Sequence, residues 1–186
     1  YPKEFRFYTP DKAEGIRASY KKELRNAYDN SIHYTDYVLG EIVDMLAKTN
    51  APASMLYLSD HGEDIFDDSR ARYLHASPIP TYYQLHIPYV IWFSKAYRES
   101  YPQKYLEAQA HETYPVSTNS VFHMLDIAGV RTPVADSTFA LTNRAFKVRD
   151  RMYLGDHDDP IPFWKVGLKK QDFEMMDKWD IAYDRN

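Results

Sequence analysis

Apolar and small residues recur at steps of three and four along positions 24–45, as on one face of an α-helix. The recurring positions are Leu24, Tyr28, Ser31, Thr35, Val38, Ile42 and Met45. We therefore predict a long helix that begins at Pro10-Asp11, runs to about Lys48 and turns this stripe towards the core. Asn50 and Pro52 follow it and break the helical pattern.

Two short apolar runs predict buried strands. The first is SMLYLS at residues 54–59, and the second is PYVIWFS at residues 88–94. The polar, proline-containing stretch 61–80 between them predicts a long loop with one helical turn. A loop of this length inside a compact domain is usually functional or disordered.

The stretch after the second strand predicts helices. Residues 94–111 form one surface helix or two, with Pro102 as the break. Residues 117–130 form another, which begins at an N-capping Ser117 and stops at Gly129. Its expected apolar face consists of Val121, Leu125 and Ala128.

The last part of the chain predicts one more strand and one more helix. KVRDRMYLG at residues 147–155 reads as the strand, and the charged, amphipathic residues 169–186 as a terminal helix. Taken in order, helices and strands alternate along the whole chain. This order predicts the α/β fold class, with a central sheet layered by helices.

Composition narrows the class of protein. The 186 residues suit one domain or a large part of one, and the net charge of −4 gives no electrostatic case for nucleic acid. The absence of cysteine excludes disulfides and thiolate zinc sites. No apolar run approaches the roughly 20 residues of a bilayer span. Because the chain starts at Tyr1 without an initiator methionine, we expect a piece of a longer protein.

Asp60 and His61 directly follow the first predicted strand. In open α/β sheets, ligands bind beyond the carboxyl ends of the strands. An aspartate oxygen and a neutral imidazole nitrogen both bind zinc or manganese, and Gly62 permits the turn that brings both to one ion. Glu63 is placed to orient a ligand. The alternative is a strand-ending turn with a capping aspartate and a surface histidine.

Two further histidines are candidates for this site. His75 is a second ligand or a cation partner for a bound anion, or else a loop histidine in water. His86 directly precedes the second strand and has the same functional role or is a satisfied buried histidine. For the remaining histidines we expect packing or surface positions, with a weak cation site as a further option for the last of them: His33, His111, His123 and His157.

Several short motifs occur here in combination. They are SDHGE at 59–63, YLH at 73–75, Q-x-H-I-P at 84–88 and Trp92, flanked by AYDNSIHYTDYVLGEIV at 27–43 and STNSVFHMLDIAGV at 117–130. Together they resemble the phosphoethanolamine transferases of the alkaline phosphatase/sulfatase superfamily, from Tyr1 to about Val130. The resemblance implies a sulfatase-like fold, with residues 1–186 as the C-terminal part of an incomplete catalytic domain.

The resemblance also implies roles for the candidate residues. Asp60 and His61 would be two protein ligands of a catalytic Zn²⁺, with Mn²⁺ or Ca²⁺ as alternatives. His75 would help to bind the phosphate group or a second metal. From the residues themselves we expect His86 to bind the phosphate as well, and Glu63 to orient a ligand. The nucleophilic threonine and the first acidic ligand would lie upstream of Tyr1, so we expect the isolated chain to be inactive.

The activity implied by the resemblance is transfer of phosphoethanolamine from a phospholipid to lipid A or another envelope glycan, through a phospho-threonine. Such enzymes sit in the bacterial inner membrane through N-terminal segments, with the catalytic domain facing the periplasm. One alternative is a sulfatase-type hydrolase of sulfate or phosphate esters, although sulfatases typically carry a lysine in the YLH region. Another is a non-catalytic metal-binding module of the same fold.

This chain departs from the family pattern at several positions. DIFDDSRAR at residues 64–72 replaces a glycine-containing segment, Ala76 replaces a glycine, and the disulfides of many relatives are missing. These departures concern the loop around the site more than the family itself. The acceptor and the oligomeric state do not follow from the sequence.

Overall fold

A long helix, α1 (Lys21–Lys48), dominates the computed structural model, which describes residues 1–75, 77–155 and 159–183. The helix begins eleven positions later than predicted, because the polar groups of the preceding segment have other partners. Asp11 binds Arg6 and the Tyr1 hydroxyl instead of capping a helix. The side chain of buried Asn30 bonds both backbone groups of Tyr8, each at 2.9 Å, and so holds this segment against α1.

The predicted core-facing stripe of α1 is only partly covered. Its first members, such as Leu24 and Tyr28, are half-buried, whereas Val38 is 37% and Met45 62% exposed. The described residues therefore pack against the first half of the helix much more than against the second.

Both predicted strands form and pair with each other. Strand β1 (Ser54–Leu58) lies antiparallel to β4 (Tyr89–Phe93), with Leu56 opposite Ile91. The predicted loop between them contains a short hairpin of β2 (Asp64–Ile65) and β3 (Tyr73–Leu74). Its helical turn comes just after the predicted range, as α2 (Tyr82–Leu85).

The later elements largely follow the predicted order. Helices α3 (Lys95–Ser100) and α4 (Pro102–Ala110) break at the proline, as predicted. Helix α5 (Ser120–His123) leads into a 3₁₀ turn (Leu125–Ala128) that stops at Gly129, where φ is +79°. Ser117 is not its N-cap, because the helix begins at Ser120 and Asn119 occupies the N-cap position; the Ser117 hydroxyl donates to Asn119 Oδ1 at 2.7 Å.

The C-terminal part is built on a second small hairpin. Strands β5 (Met152–Tyr153) and β6 (Ile161–Pro162) pair antiparallel, so the predicted strand at 147–155 shrinks to two residues. Helix α6 (Lys170–Lys178) is the predicted terminal helix. Each sheet within the described ranges has two strands, and the sheet carrying β1 is the one that bears the candidate site.

Three small apolar clusters hold these elements together. The first joins α2 to the C-terminal part through Tyr82, Phe163, Leu168 and Met176. The second and third lie against the β1–β4 pair and share Leu56 and Ile91 as contacts. The strand that leads into the site is therefore packed on its apolar side, and α2 is fixed to the C-terminal part.

A fully buried carboxylate, Asp172 on α6, reinforces that attachment. Arg70 donates to it twice, at 2.7 and 2.8 Å, and the backbone amides of Tyr82 and Lys169 donate at 2.9 and 2.8 Å. Burial alone favours the neutral acid, but these hydrogen bonds and the guanidinium charge outweigh it and lower the pKa of Asp172.

Replacing Asp172 by Ala is expected to lower the free energy of unfolding by about 2–4 kcal/mol, because it leaves the amides of Tyr82 and Lys169 without their acceptor and leaves Arg70 with Asp68 as its carboxylate partner. Urea denaturation measures the change. Glu174→Ala is the matched control on the same helix: it removes an exposed pair with Lys170 and is expected to cost less than about 1 kcal/mol. Equal effects of the two variants would contradict the assignment.

The stability that ionised Asp172 provides should also depend on pH. Its folded-state pKa lies below the value of about 3.9 in an unfolded chain, so the contribution is complete above that value and is lost as pH falls through the folded one. The advantage of the native protein over Asp172→Asn should therefore be smaller at pH 3 than at pH 7. Unfolding curves at both pH values test this, and an unchanged difference would be inconsistent with it.

Candidate metal centre

The candidate site begins where β1 ends. Ser59 donates its hydroxyl to the carbonyl of His61 at 2.6 Å, and the amide of His61 donates to Asp60 Oδ1 at 3.1 Å. Asp60's own backbone amide, followed by the charge and the amide of His61, lowers the pKa of the Asp60 carboxyl. The carboxylate is therefore ionised at neutral pH, the form that binds a cation.

Gly62 is required here because the backbone of α2 passes too close to leave room for a side chain. Its amide donates to Gln84 O at 2.9 Å, and a Cβ atom at this position would lie 2.0 Å from the carbonyl oxygen of Tyr83. The sequence predicts a glycine for the turn itself, whereas the positive-φ glycines within the described ranges are Gly129 and Gly167. The structure thus gives a different reason for the same residue.

His61, Glu63 and His75 form a cluster in which one ligand atom from each lies within 4.8 Å of the others. His75 Nδ1 is 2.8 Å and His61 Nδ1 is 3.8 Å from Glu63 Oε1. The two imidazole ring centroids are 3.8 Å apart. The β2–β3 hairpin returns the chain to β1, and Leu74, at a φ of +65°, turns it just before His75.

Asp60 faces the other side of the His61 ring. Its Oδ2 lies 3.8 Å from His61 Nε2, a gap that an ion with bonds of about 2 Å to each atom can bridge. His61 Nδ1 lies 3.0 Å from the carbonyl of Gly62, so a proton on Nδ1 leaves the Nε2 lone pair free for a metal. The Asp60 side chain is 88% exposed, so little packing holds it in place.

Glu63 carries the clearest sign of a missing partner. Its Oε2 is buried and has no hydrogen-bond partner in the part of the chain that the structure describes. A buried acceptor of this kind needs a donor or a cation. Imidazole nitrogens and carboxylate oxygens are also the donor set of catalytic zinc, so the residues present fit that ion. The sequence predicts that Glu63 orients a ligand, but it does not predict the direct contact of Glu63 with His75.

His86 lies outside this cluster. Its Nδ1 is 2.6 Å from the Tyr82 hydroxyl, and burial together with the charge of Arg151 lowers the pKa of its imidazole. The ring is therefore neutral at neutral pH. It lines a cavity of about 400 Å³ that Asp60 and His61 also line. Its predicted role in phosphate binding stays a prediction.

The other histidines have structural partners. His33 stacks on Phe7 with the centroids 4.3 Å apart, and His111 Nδ1 is 2.8 Å from the Leu141 carbonyl. His123 accepts from the amide of Asp136 at 2.9 Å. The option of a weak cation site at His157 lies outside the described residues.

Comparison with known families decides the class. The family model described as Sulfatase matches residues 1–130. The chain belongs to the sulfatase family. Among curated relatives, it is 37% identical over 125 residues to phosphoethanolamine transferase EptA of Helicobacter pylori, covering 66% of this chain and 22% of that protein. It is 34% identical over 140 residues to EptA of Salmonella typhimurium, covering 71% and 25%.

Solved structures agree with this membership. The C-terminal periplasmic domain of EptC from Campylobacter jejuni matches with a TM-score of 0.69 and 31% identity, over 80% of this chain and 48% of that one. The soluble domain of EptA from Neisseria meningitidis matches at 0.68 and 26%, over 76% and 44%. A zinc complex of the EptC domain from Escherichia coli shares the fold, at 0.73 and 22%, over 90% and 48%.

These findings confirm the resemblance to phosphoethanolamine transferases and the sulfatase-like, partial α/β fold. The chain spans 22% to 25% of the length of the two curated relatives. None of the helices within the described ranges combines the length and apolar character that crossing a membrane requires.

Gly62→Ala is expected to lower the free energy of unfolding by about 1–3 kcal/mol, because its Cβ meets a backbone carbonyl that no rotamer change can move. Gly40→Ala is the control: it has open space around it within α1, so alanine should raise stability by up to about 1 kcal/mol. Urea denaturation of both variants compares the signs. A Gly62→Ala protein as stable as native would show that the close approach is not needed.

Proposed function

We propose that residues 1–186 form the C-terminal part of the catalytic domain of a metal-dependent phosphoethanolamine transferase. The observation that carries the proposal is the cluster of Asp60, His61, Glu63 and His75 at the carboxyl end of β1. The names of the similar proteins support transfer of phosphoethanolamine as the reaction.

Zinc is the ion that best fits this donor set. We assign Asp60 Oδ2 and His61 Nε2 as its ligands, because these atoms lie 3.8 Å apart, a separation that one ion bonded to both can span. An imidazole ligand favours Zn²⁺ over Ca²⁺, which prefers oxygen ligands, and Mn²⁺ remains the second choice. The zinc complex of a domain with the same fold makes zinc the first ion to test.

The neighbouring residues have positioning roles in this proposal. Glu63 accepts from His75 Nδ1, which fixes the tautomer and orientation of that ring and leaves Nε2 for a phosphoryl oxygen or a second ion. When bound, the metal supplies Lewis-acid polarisation of the phosphoryl group and lowers the pKa of an attacking hydroxyl. By resemblance, that hydroxyl belongs to a threonine outside these 186 residues.

The proposed donor is a phosphoethanolamine-bearing phospholipid, and the acceptor is lipid A or another envelope glycan. The acceptor follows from relatives such as Kdo(2)-lipid A phosphoethanolamine 7''-transferase of Escherichia coli, which is 28% identical over 102 residues, 54% of this chain and 17% of that protein. The similar solved domains are described as periplasmic, so we place this one on the periplasmic side of the bacterial inner membrane. No finding favours ester hydrolysis or a non-catalytic module over transfer.

Asp60→Ala in the intact protein should weaken zinc binding at least tenfold and abolish phosphoethanolamine transfer. Metal analysis after dialysis measures bound zinc, and mass spectrometry of lipid A incubated with phosphatidylethanolamine measures transfer. Because Asp60 is 88% exposed, its loss should leave the fold intact.

Asp44→Ala, which removes an exposed carboxylate on α1, is the control and should keep zinc and activity. Full zinc retention by Asp60→Ala would refute the metal assignment. Zinc loss with unchanged transfer would refute the proposed chemistry.

A further inference from the structure

Asp60 and His61 line one end of a cavity whose two walls come from different parts of the chain. One wall comes from α2 and the residues that follow it, including Leu85 and His86, and the other from the C-terminal part at 151–181. The sulfatase family model ends at residue 130, so the second wall lies beyond the matched region. At about 400 Å³ the cavity is in the size range of small-molecule sites.

Arg151 brings the positive charge of this second wall. Its guanidinium carbon lies 4.6 Å from the centre of the Phe163 ring, and Nη2 donates to the carbonyl of Ala182. The amide of Phe163 donates to Arg151 O at 3.0 Å, so the backbone is fixed where β5 begins. Burial lowers the pKa of Arg151, although a guanidinium remains charged at neutral pH.

This cation has no carboxylate partner within the described residues, in contrast to Arg70, which pairs with Asp68 and Asp172. A guanidinium has five N–H donors, and one of those of Arg151 is used by Ala182. Because Arg151 is half-buried and has N–H donors beyond the one that Ala182 uses, an anion in the cavity can bind it through charge-assisted hydrogen bonds. The carbonyl of Ala182 is a neutral acceptor, so it does not balance the charge of Arg151.

The rest of the lining suits a phosphate ester. Thr118 brings a hydroxyl group, His86 brings a neutral imidazole, and Tyr153 and Leu85 bring aromatic and apolar surface. Hydroxyls and a guanidinium bind phosphate oxygens, and a flat aromatic or aliphatic wall accommodates the carbon skeleton of the ester.

We propose that this cavity is a substrate subsite in which Arg151 binds the phosphate group of a phosphate ester, next to the metal centre. The ester is either the phosphoethanolamine group of the donor or a phosphorylated sugar of the acceptor; that choice rests on the proposed function, whereas phosphate binding at Arg151 does not.

The test uses the metal-free intact protein, so that zinc cannot bind the anion. Calorimetry measures the affinity for inorganic phosphate, O-phosphoethanolamine and glucosamine 1-phosphate. Arg151→Met should weaken the binding of at least one ester about tenfold or more. Arg149→Met is the matched control, because Arg149 also stacks on a phenylalanine, Phe139 at 4.2 Å, and donates to a nearby oxygen, but lies outside this cavity.

Each outcome decides something. Selective loss of O-phosphoethanolamine assigns the donor, selective loss of glucosamine 1-phosphate assigns the acceptor, and loss of all three shows that the phosphate alone is recognised. Native affinity in Arg151→Met, or equal losses in both variants, overturns the subsite. Zinc content should be unchanged in Arg151→Met, so this proposal and the metal assignment can fail separately.

A second measurement needs no variant. Phenylglyoxal modifies accessible arginines, and peptide mass spectrometry reads the modified positions in the native protein. The bound ester should protect Arg151 at least fivefold and leave Arg149 unprotected. Equal labelling of Arg151 with and without each ester would overturn the proposal even if Arg151→Met does not fold.

Discussion

The buried carboxylate of Asp172 is the interaction on which the arrangement of the candidate site depends. It receives Arg70 from the β2–β3 hairpin, an amide from the start of α2 and an amide from the start of α6. The hairpin and α2 are therefore tied to the start of α6 through one acceptor, about a hundred residues further along the chain. Because the group is charged and without contact to water, none of its donors can leave without a large free-energy cost.

From Asp172 a chain of hydrogen bonds leads to the metal centre. The far end of α2 holds Gly62 through the carbonyl of Gln84, and the Gln84 side chain donates to Asp64, which also accepts from Thr81 at 2.8 Å. Burial raises the pKa of Asp64, although these donors oppose that effect. The hairpin that returns His75 to His61 is thus held by polar contacts in addition to the burial of Ile65 and Phe66. Arg25 on α1 adds two more, to the carbonyls of Ile65 and Phe66.

The sequence predicts those features that depend on local patterns. The periodicity of apolar residues predicts α1, β1 and β4. Pro102 predicts the break between α3 and α4, and Gly129 predicts the end of the 3₁₀ turn. All of these features are determined by residues within a few positions of one another. The pair Asp60-His61 follows from its place after a strand. The predicted start of α1 is wrong, because Asp11 accepts hydrogen bonds from Arg6 and Tyr1 and does not cap the helix. The clearance at Gly62 and the position of Arg151 depend on contacts between distant segments, which no local pattern contains.

The contact between Gly62 and Tyr83 has a consequence for how this site can change over evolutionary time. Position 62 admits a hydrogen atom and nothing larger, so every substitution there also has to displace α2. In the stretch 64–72, by contrast, Ser69 and Ala71 are exposed, so substitutions at these two positions leave the buried Ile65 and Phe66 and the contacts of Asp64 and Arg70 in place. Substitutions that alter the surroundings of the site without displacing α2 are therefore expected at exposed positions of the hairpin and not at position 62.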